Sequence, residues 1–146
     1  MAGARILLVE DNAANRELMS YLLTAFGHRV FAAETAHDGI DLGGRLAPDL
    51  IVCDVQLADV DGFELARRFR EEPITATVPL IAVTALAMSG DRERILAAGF
   101  DGYMTKPIDP EAFVRQLEAF LPPELHTSCC HAQEREQTHG DHSDCR

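Results

Sequence analysis

Apolar residues along this chain fall into five short runs separated by stretches with helical spacing. Ile6-Leu7-Leu8-Val9, the run ending at Ala33, Leu50-Ile51-Val52-Cys53, Leu80-Ile81-Ala82-Val83 and the brief Tyr103-Met104 each read as strands. Their expected bounds are residues 5–9, 28–33, 49–53, 79–83 and 101–104. The run at 50–53 has no polar interruption, is flanked by turn signals at Pro48 and Asp61-Gly62, and ends on the carboxylate of Asp54. Such a strand is buried on both faces, which requires a parallel sheet covered by helices. In sheets of that kind, chemistry gathers at the carboxyl ends of the strands.

The intervening segments predict helices. Residues 12–26 carry Leu18, Leu22 and Phe26 four apart, and Gly27 closes them. Residues 35–46 predict a weaker helix, because Gly43-Gly44 costs helix stability. Residues 63–72 turn Leu65, Ala66 and Phe69 inward and stop at Pro73. Residues 88–98 contain Ile95 and end at Gly99. Asp109-Pro110 starts the last helix, with Phe113, Leu117, Phe120 and Leu121 on its apolar face and Pro122-Pro123 as its stop. Five strands alternating with five helices predict an α/β fold: a doubly wound (βα)5 unit with a five-stranded parallel sheet and right-handed crossovers. One domain over residues 1–121 is expected. Residues 122–146 lose almost all large apolar side chains and predict a disordered polar tail.

Composition narrows the function. A chain of 146 residues with 47% hydrophobic and 25% charged residues is an ordinary globular domain with a core. A formal net charge of −11 argues against nucleic-acid partners and against anionic membrane surfaces. No apolar run approaches a membrane span. Met1-Ala2-Gly3-Ala4-Arg5 leads directly into a strand rather than a signal peptide, so a cytoplasmic protein is expected. Four cysteines, one inside the central strand and three in the tail, do not make a disulfide framework.

Three carboxylates, Glu10, Asp11 and Asp54, follow two strands expected side by side at the sheet centre. Packed closely they repel one another, unless a divalent cation sits among them. Mg²⁺ suits such a site, with one or two carboxylates and several waters. Lys106 brings an ammonium to the same mouth and Thr84 a hydroxyl. A metal, an ammonium and a hydroxyl around a free carboxylate suit phosphoryl transfer with that carboxylate as nucleophile.

Glu10-Asp11, Asp54 with Asp61-Gly62 downstream, Thr84-Ala85, and Tyr103-x-x-Lys106-Pro107, in that order, resemble the CheY-like receiver domain of two-component response regulators over residues 4–121. Asp11-Asn12-x-x-Asn15-Arg16 and Thr84-Ala85-Leu86-Ala87-Met88-x-Gly90-Asp91-x-Glu93-Arg94 are similar to DivK-like single-domain regulators and to receivers of hybrid histidine kinases. The resemblance implies a flavodoxin-like fold with strand order 2-1-3-4-5. It implies Asp54 as phosphoacceptor, and Mg²⁺ held by Asp11, Asp54 and the backbone carbonyl of Gln56, with Glu10 reaching it through water. Lys106 would pair with the phosphoryl group, Thr84 would move to hydrogen-bond it, and Tyr103 would rotate inward as the second switch residue. The Lys106-Pro107 bond resembles the family's cis peptide.

The partners implied are a histidine kinase or histidine phosphotransfer protein and a downstream protein. The output surface would be residues 88–98, 101–104 and 109–121, and the last helix would also suit a homodimer. Catalysis would be limited to the receiver's own phosphorylation and dephosphorylation. Ala58 stands where many relatives have proline, which predicts a looser loop. Gln56 and Leu86 occupy positions that modulate dephosphorylation in the family. Leu86 cannot orient an attacking water, so slow self-dephosphorylation is expected.

Other readings compete. A phosphatase with an aspartyl nucleophile of the haloacid type needs an acid two residues on, where Gln56 stands. A flavodoxin-like cofactor protein would have its phosphate repelled by Glu10-Asp11. A degenerate receiver would act as a binding module without taking phosphate. Tyr103 also fits a half-buried aromatic, and Cys53 a small core hydrophobe. His126, Cys129, Cys130, His131, His139, His142 and Cys145 are metal-ligand types, but their spacing matches no zinc finger, and a solvated tail is the simpler reading.

Overall fold

A computed structural model describes residues 3–55, 61–85, 91–122 and 125. In chain order the elements are β1 (Arg5–Val9), α1 (Ala13–Ala25), β2 (Arg29–Ala33), α2 (Ala36–Leu46), β3 (Leu50–Asp54), α3 (Gly62–Glu71), β4 (Leu80–Thr84), α4 (Asp91–Ala97), β5 (Gly102–Thr105) and α5 (Phe113–Glu118). All strand pairs are parallel and the sheet order is β2-β1-β3-β4-β5. The fold is the flavodoxin-like α/β arrangement.

Because successive strand residues point to opposite faces, each strand feeds two cores. Leu7, Val9, Ile51, Cys53, Leu80 and Ala82 pack with Ala36 of α2, Leu65, Ala66 and Phe69 of α3, and Ile95 of α4. Ile6, Leu8, Leu50, Val52, Ile81 and Val83 pack with Met19 and Leu23 of α1 and with Phe113, Val114 and Leu117 of α5. β3 and β4 are buried at every position, as an interior strand covered on both sides must be.

The inward stripe of α1 is rotated from the expected one. Met19 and Leu23 are fully buried, Leu22 and Phe26 pack partly against them, and Leu18 lies at the exposed margin. The stripe is centred on the 19, 23, 26 positions, an i, i+4, i+7 series that the neighbouring Leu18 and Leu22 obscure in the sequence. The helix starts after Asn12, whose side chain accepts from the Asn15 N–H at 2.9 Å.

α2 runs unbroken through Gly43-Gly44. Gly43 is buried, and a Cβ there would come within 3.0 Å of the Phe69 ring and 3.4 Å of Leu7. The missing side chain lets α2 lie close to α3, so a local propensity cost is exchanged for packing. α5 begins at Phe113 rather than at Asp109. The Asp109 carboxylate accepts from Glu111 N–H at 3.1 Å, and its carbonyl accepts from Ala112 at 3.1 Å and Phe113 at 2.9 Å, so residues 109–112 form a tight turn that leads into the helix. Phe120 is half-exposed over Gly102 instead of facing the core, and Val114 fills the inward position. α5 also ends at Glu118, three residues before the expected stop, and within the described residues the remaining bounds agree with those expected to within two residues.

One tie spans the domain. His28 and Glu118 are both buried, with Nε2 2.5 Å from the Glu118 carboxylate. The Ala4 N–H donates to Nδ1 at 3.0 Å, so the ring proton sits on Nε2 and donates to Glu118. The link fastens α5 to the turn before β2 and to the residue before β1.

Candidate functional site

The carboxyl ends of β1, β3 and β4 lie side by side, and the polar residues that end them converge. Glu10 follows β1, Asp54 ends β3, and Thr84 ends β4; all three are buried. Asp11 is exposed at the rim. Carboxylate oxygens of Glu10, Asp11 and Asp54 lie within 4.8 Å of one another. Lys106, delivered by the chain leaving β5, donates from Nζ to Asp54 Oδ2 at 3.0 Å, and its backbone N–H donates to the Thr84 carbonyl at 2.8 Å. The Lys106-Pro107 peptide is cis.

Glu10 is held on nearly every side. Its N–H donates to Ala33 O at 3.0 Å, Oε2 accepts from the Asn12 N–H at 3.1 Å, and its carbonyl accepts from Arg16 Nη1 at 2.8 Å. Oε1 is left. It lies 3.1 Å from Lys106 Nζ without hydrogen-bond geometry, and it is a buried side-chain oxygen with no hydrogen-bond partner among the described residues. Burial pushes the Glu10 carboxyl above its ordinary pKa. The Asn12 N–H pulls it back, the Asp54 charge pushes it further up, and Lys106, like Asn12, lowers it. Burial works against the Lys106 ammonium too, but its hydrogen bond to Asp54 and the charges of Asp54 and Glu10 outweigh it and raise its pKa.

Three clustered carboxylates against one ammonium leave an excess of negative charge around a buried oxygen that accepts no hydrogen bond among the described residues. An all-oxygen donor set of this kind fits a hard divalent cation such as Mg²⁺. Asp11, Asp54 and Glu10 are the residues that could hold it. Gln56, expected to add a backbone carbonyl, lies outside the described residues, as do Ala58, Leu86, Met88 and the His- and Cys-bearing tail.

Tyr103 is half-buried against the core on the α2–α4 side of the sheet. It opens onto a groove of about 690 Å³ shared with Met104, Pro107, Ile108, Gln116 and Phe120. Cys53 sits in the core beside Asp54. Burial, reinforced by the Asp54 and Glu10 charges, pushes its thiol well above the ordinary value, which makes it an inert hydrophobe rather than a nucleophile. In the sequence Arg16 is only one member of a motif, and its contact with Glu10 is not legible there. The one available signal is a cation in the first turn of the helix that follows the acidic pair.

The chain matches the response regulator receiver domain family over residues 6–118. It is 39% identical over 127 residues to an uncharacterised 14.6 kDa protein of Leptolyngbya boryana, covering 85% of this chain and 97% of that one. It is 35% identical over 116 residues to the polar-differentiation response regulator DivK of Brucella ovis, covering 80% of this chain and 94% of that protein. Among solved structures, the receiver domain of a sensor histidine kinase from Pseudomonas aeruginosa PAO1 has a TM-score of 0.75 and 35% identity, covering 82% of this chain and 98% of the other. That receiver has a magnesium ion coordinated in its active-site cleft.

Proposed function

The chain belongs to the response regulator receiver domain family, and from there we propose that it is a DivK-like regulator in a two-component phosphorelay, taking a phosphoryl group on Asp54. It is not a conventional enzyme, since the chemistry falls on its own aspartate. The observation that carries the reading is the buried Asp54 carboxylate, 3.0 Å from Lys106 Nζ and clustered with Glu10 and Asp11.

Asp54 attacks the phosphorus of a phosphohistidine on a kinase or phosphotransfer protein. A P–O bond to the carboxylate forms, the P–N bond breaks, and the donor imidazole leaves with a proton from solvent. Asp11, Asp54, the Gln56 carbonyl and, through water, Glu10 would hold Mg²⁺, which would supply positive charge to the phosphoryl oxygens. Lys106 stays with the same oxygens as the charge shifts, and Thr84 offers its hydroxyl to them. Tyr103 then turns inward from its groove and changes the surface of α4, β5 and α5, where a downstream protein binds. The receiver spans residues 1–121, with 122–146 as a separate polar segment, and it acts in the cytoplasm. No described helix is long and apolar enough to cross a membrane.

Intact mass after incubation with acetyl phosphate tests this. A single phosphoryl adduct that requires Mg²⁺ and is lost in Asp54→Asn is expected. No adduct on folded wild type would replace the reading with a constitutive binding module.

A further inference from the structure

We propose that Arg16 is a positioning residue for the acidic site. It fixes the Glu10–Asp11 peptide so that both carboxylates are presented to a divalent cation opposite Asp54. The inference rests on the receiver reading above and assigns a task to a residue that does not touch the phosphoryl group.

The argument starts from the polar atoms of Glu10. Its N–H, its Oε2 and its carbonyl each have a partner: Ala33 O, Asn12 N–H and Arg16 Nη1. Oε1 accepts no hydrogen bond among the described residues and lies 3.1 Å from the Lys106 ammonium, in the acidic cluster. The first two partners are backbone atoms of β2 and of the α1 cap, which side-chain substitutions other than proline leave in place. Arg16 is the one side chain in the set. Its guanidinium is largely buried, with its other arm 3.7 Å from the exposed carboxylate of Glu34 just past β2. The Glu10 carbonyl is the oxygen of the Glu10–Asp11 peptide. A rotation of that plane displaces the Asp11 backbone, and with it the one exposed ligand of the three.

A flat guanidinium on a carbonyl sets that plane, and fixed ligands bind a metal better than ligands that must be ordered first. Charge alone predicts the opposite. A cation beside an acidic site repels a second cation, so removing Arg16 would then tighten Mg²⁺ binding. The sign of the change separates the two.

The test uses the full chain, without phosphodonor, titrated with Mg²⁺ and followed by NMR chemical shifts around Asp54. In Arg16→Gln the dissociation constant is expected to rise about tenfold, in the range seen for residues that orient metal ligands. Arg16→Lys keeps the charge but loses the flat two-armed donor, and is expected to weaken binding by about threefold. In phosphorylation by acetyl phosphate, the Mg²⁺ concentration for half-maximal rate should rise in step while the rate at saturating Mg²⁺ holds. A general loss of structure would lower both. Mg²⁺ affinity at or above the wild-type level in either variant, folded, overturns the proposal. If Arg16→Gln fails to fold, Arg16→Lys decides alone. A wild-type protein that binds no Mg²⁺ overturns the receiver reading itself, and that result appears before any variant is made.

Discussion

The acidic and cationic halves of the site are built to different standards. The acidic half hangs on β1, an interior strand flanked by β2 and β3. Glu10 there is held through its amide, its carbonyl and one carboxylate oxygen. The cationic half hangs on β5, a four-residue edge strand with no fully buried position. Lys106 follows it, and the chain then passes through a turn to the six-residue α5 beside an open groove. Ligands for a cation must be in place before it arrives, whereas a surface read by a partner has to change. Fewer restraints on β5 and on the turn after it suit that second task under the proposed reading, while α5 itself stays fastened through Glu118.

Four substitutions probe this contrast, taken from the largest effect to the smallest. Lys106→Ala removes the one ammonium on the acidic cluster among the described residues and is expected to slow phosphorylation by acetyl phosphate about a hundredfold, read by intact mass over time. A loss below tenfold would mean that the cationic half contributes little to the chemistry. Gly62→Ala strikes the segment that follows Asp54. Its Cβ would sit 2.4 Å from Val55 Cα and 2.6 Å from Val55 O. Neither is a side chain that can move aside, so urea unfolding should show a loss of about 3 kcal/mol. Asn12→Ala removes the side-chain cap of α1 but keeps the backbone N–H that serves Glu10. Stability should fall by about 1 kcal/mol with Mg²⁺ affinity unchanged. An affinity loss matching that of Arg16→Gln would show that the helix cap, not the guanidinium, sets the acidic half.

The smallest effect lies outside both halves. Glu64 on α3 accepts from Arg67 and Arg68, and these bonds hold its carboxyl below the ordinary 4.5. A lowered folded pKa means stability that is present above 4.5 and lost as pH falls through the lowered value. The wild type should therefore melt slightly above Glu64→Gln at pH 7, by an amount that salt shrinks and acid removes. A difference that persists in acid would point to helix propensity instead of charge.

Much of this was legible in the sequence because it depends on strand ends. Three apolar runs with an acidic pair, a carboxylate or a hydroxyl at their ends, and a fourth followed by Lys106, fix which residues meet once the sheet is parallel. The opaque parts depend on geometry beyond one element. Leu18 and Met19 differ by 100° around α1, and the sequence offers large apolar residues at both. Phe120 reads as core from its spacing, yet it lies over Gly102 because α5 is a single short helix beside an edge strand. Arg16 finds the Glu10 carbonyl only because α1 folds back along β1. The His28–Glu118 pair is ninety positions apart in sequence, and neither residue has a local pattern that names the other.

That pair also bears on the order in which the protein is made. β1 and the turn at His28 leave the ribosome early, but the carboxylate that accepts the His28 ring proton belongs to residue 118. The inner strands are apolar on both faces, and one of those faces is covered partly by α5. A nascent chain halted before α5 therefore carries its central strands without their last cover and a histidine without its acidic partner. The receiver closes only when synthesis of the domain is nearly complete, so a fragment ending ahead of Glu118 is an unfinished domain rather than a smaller one.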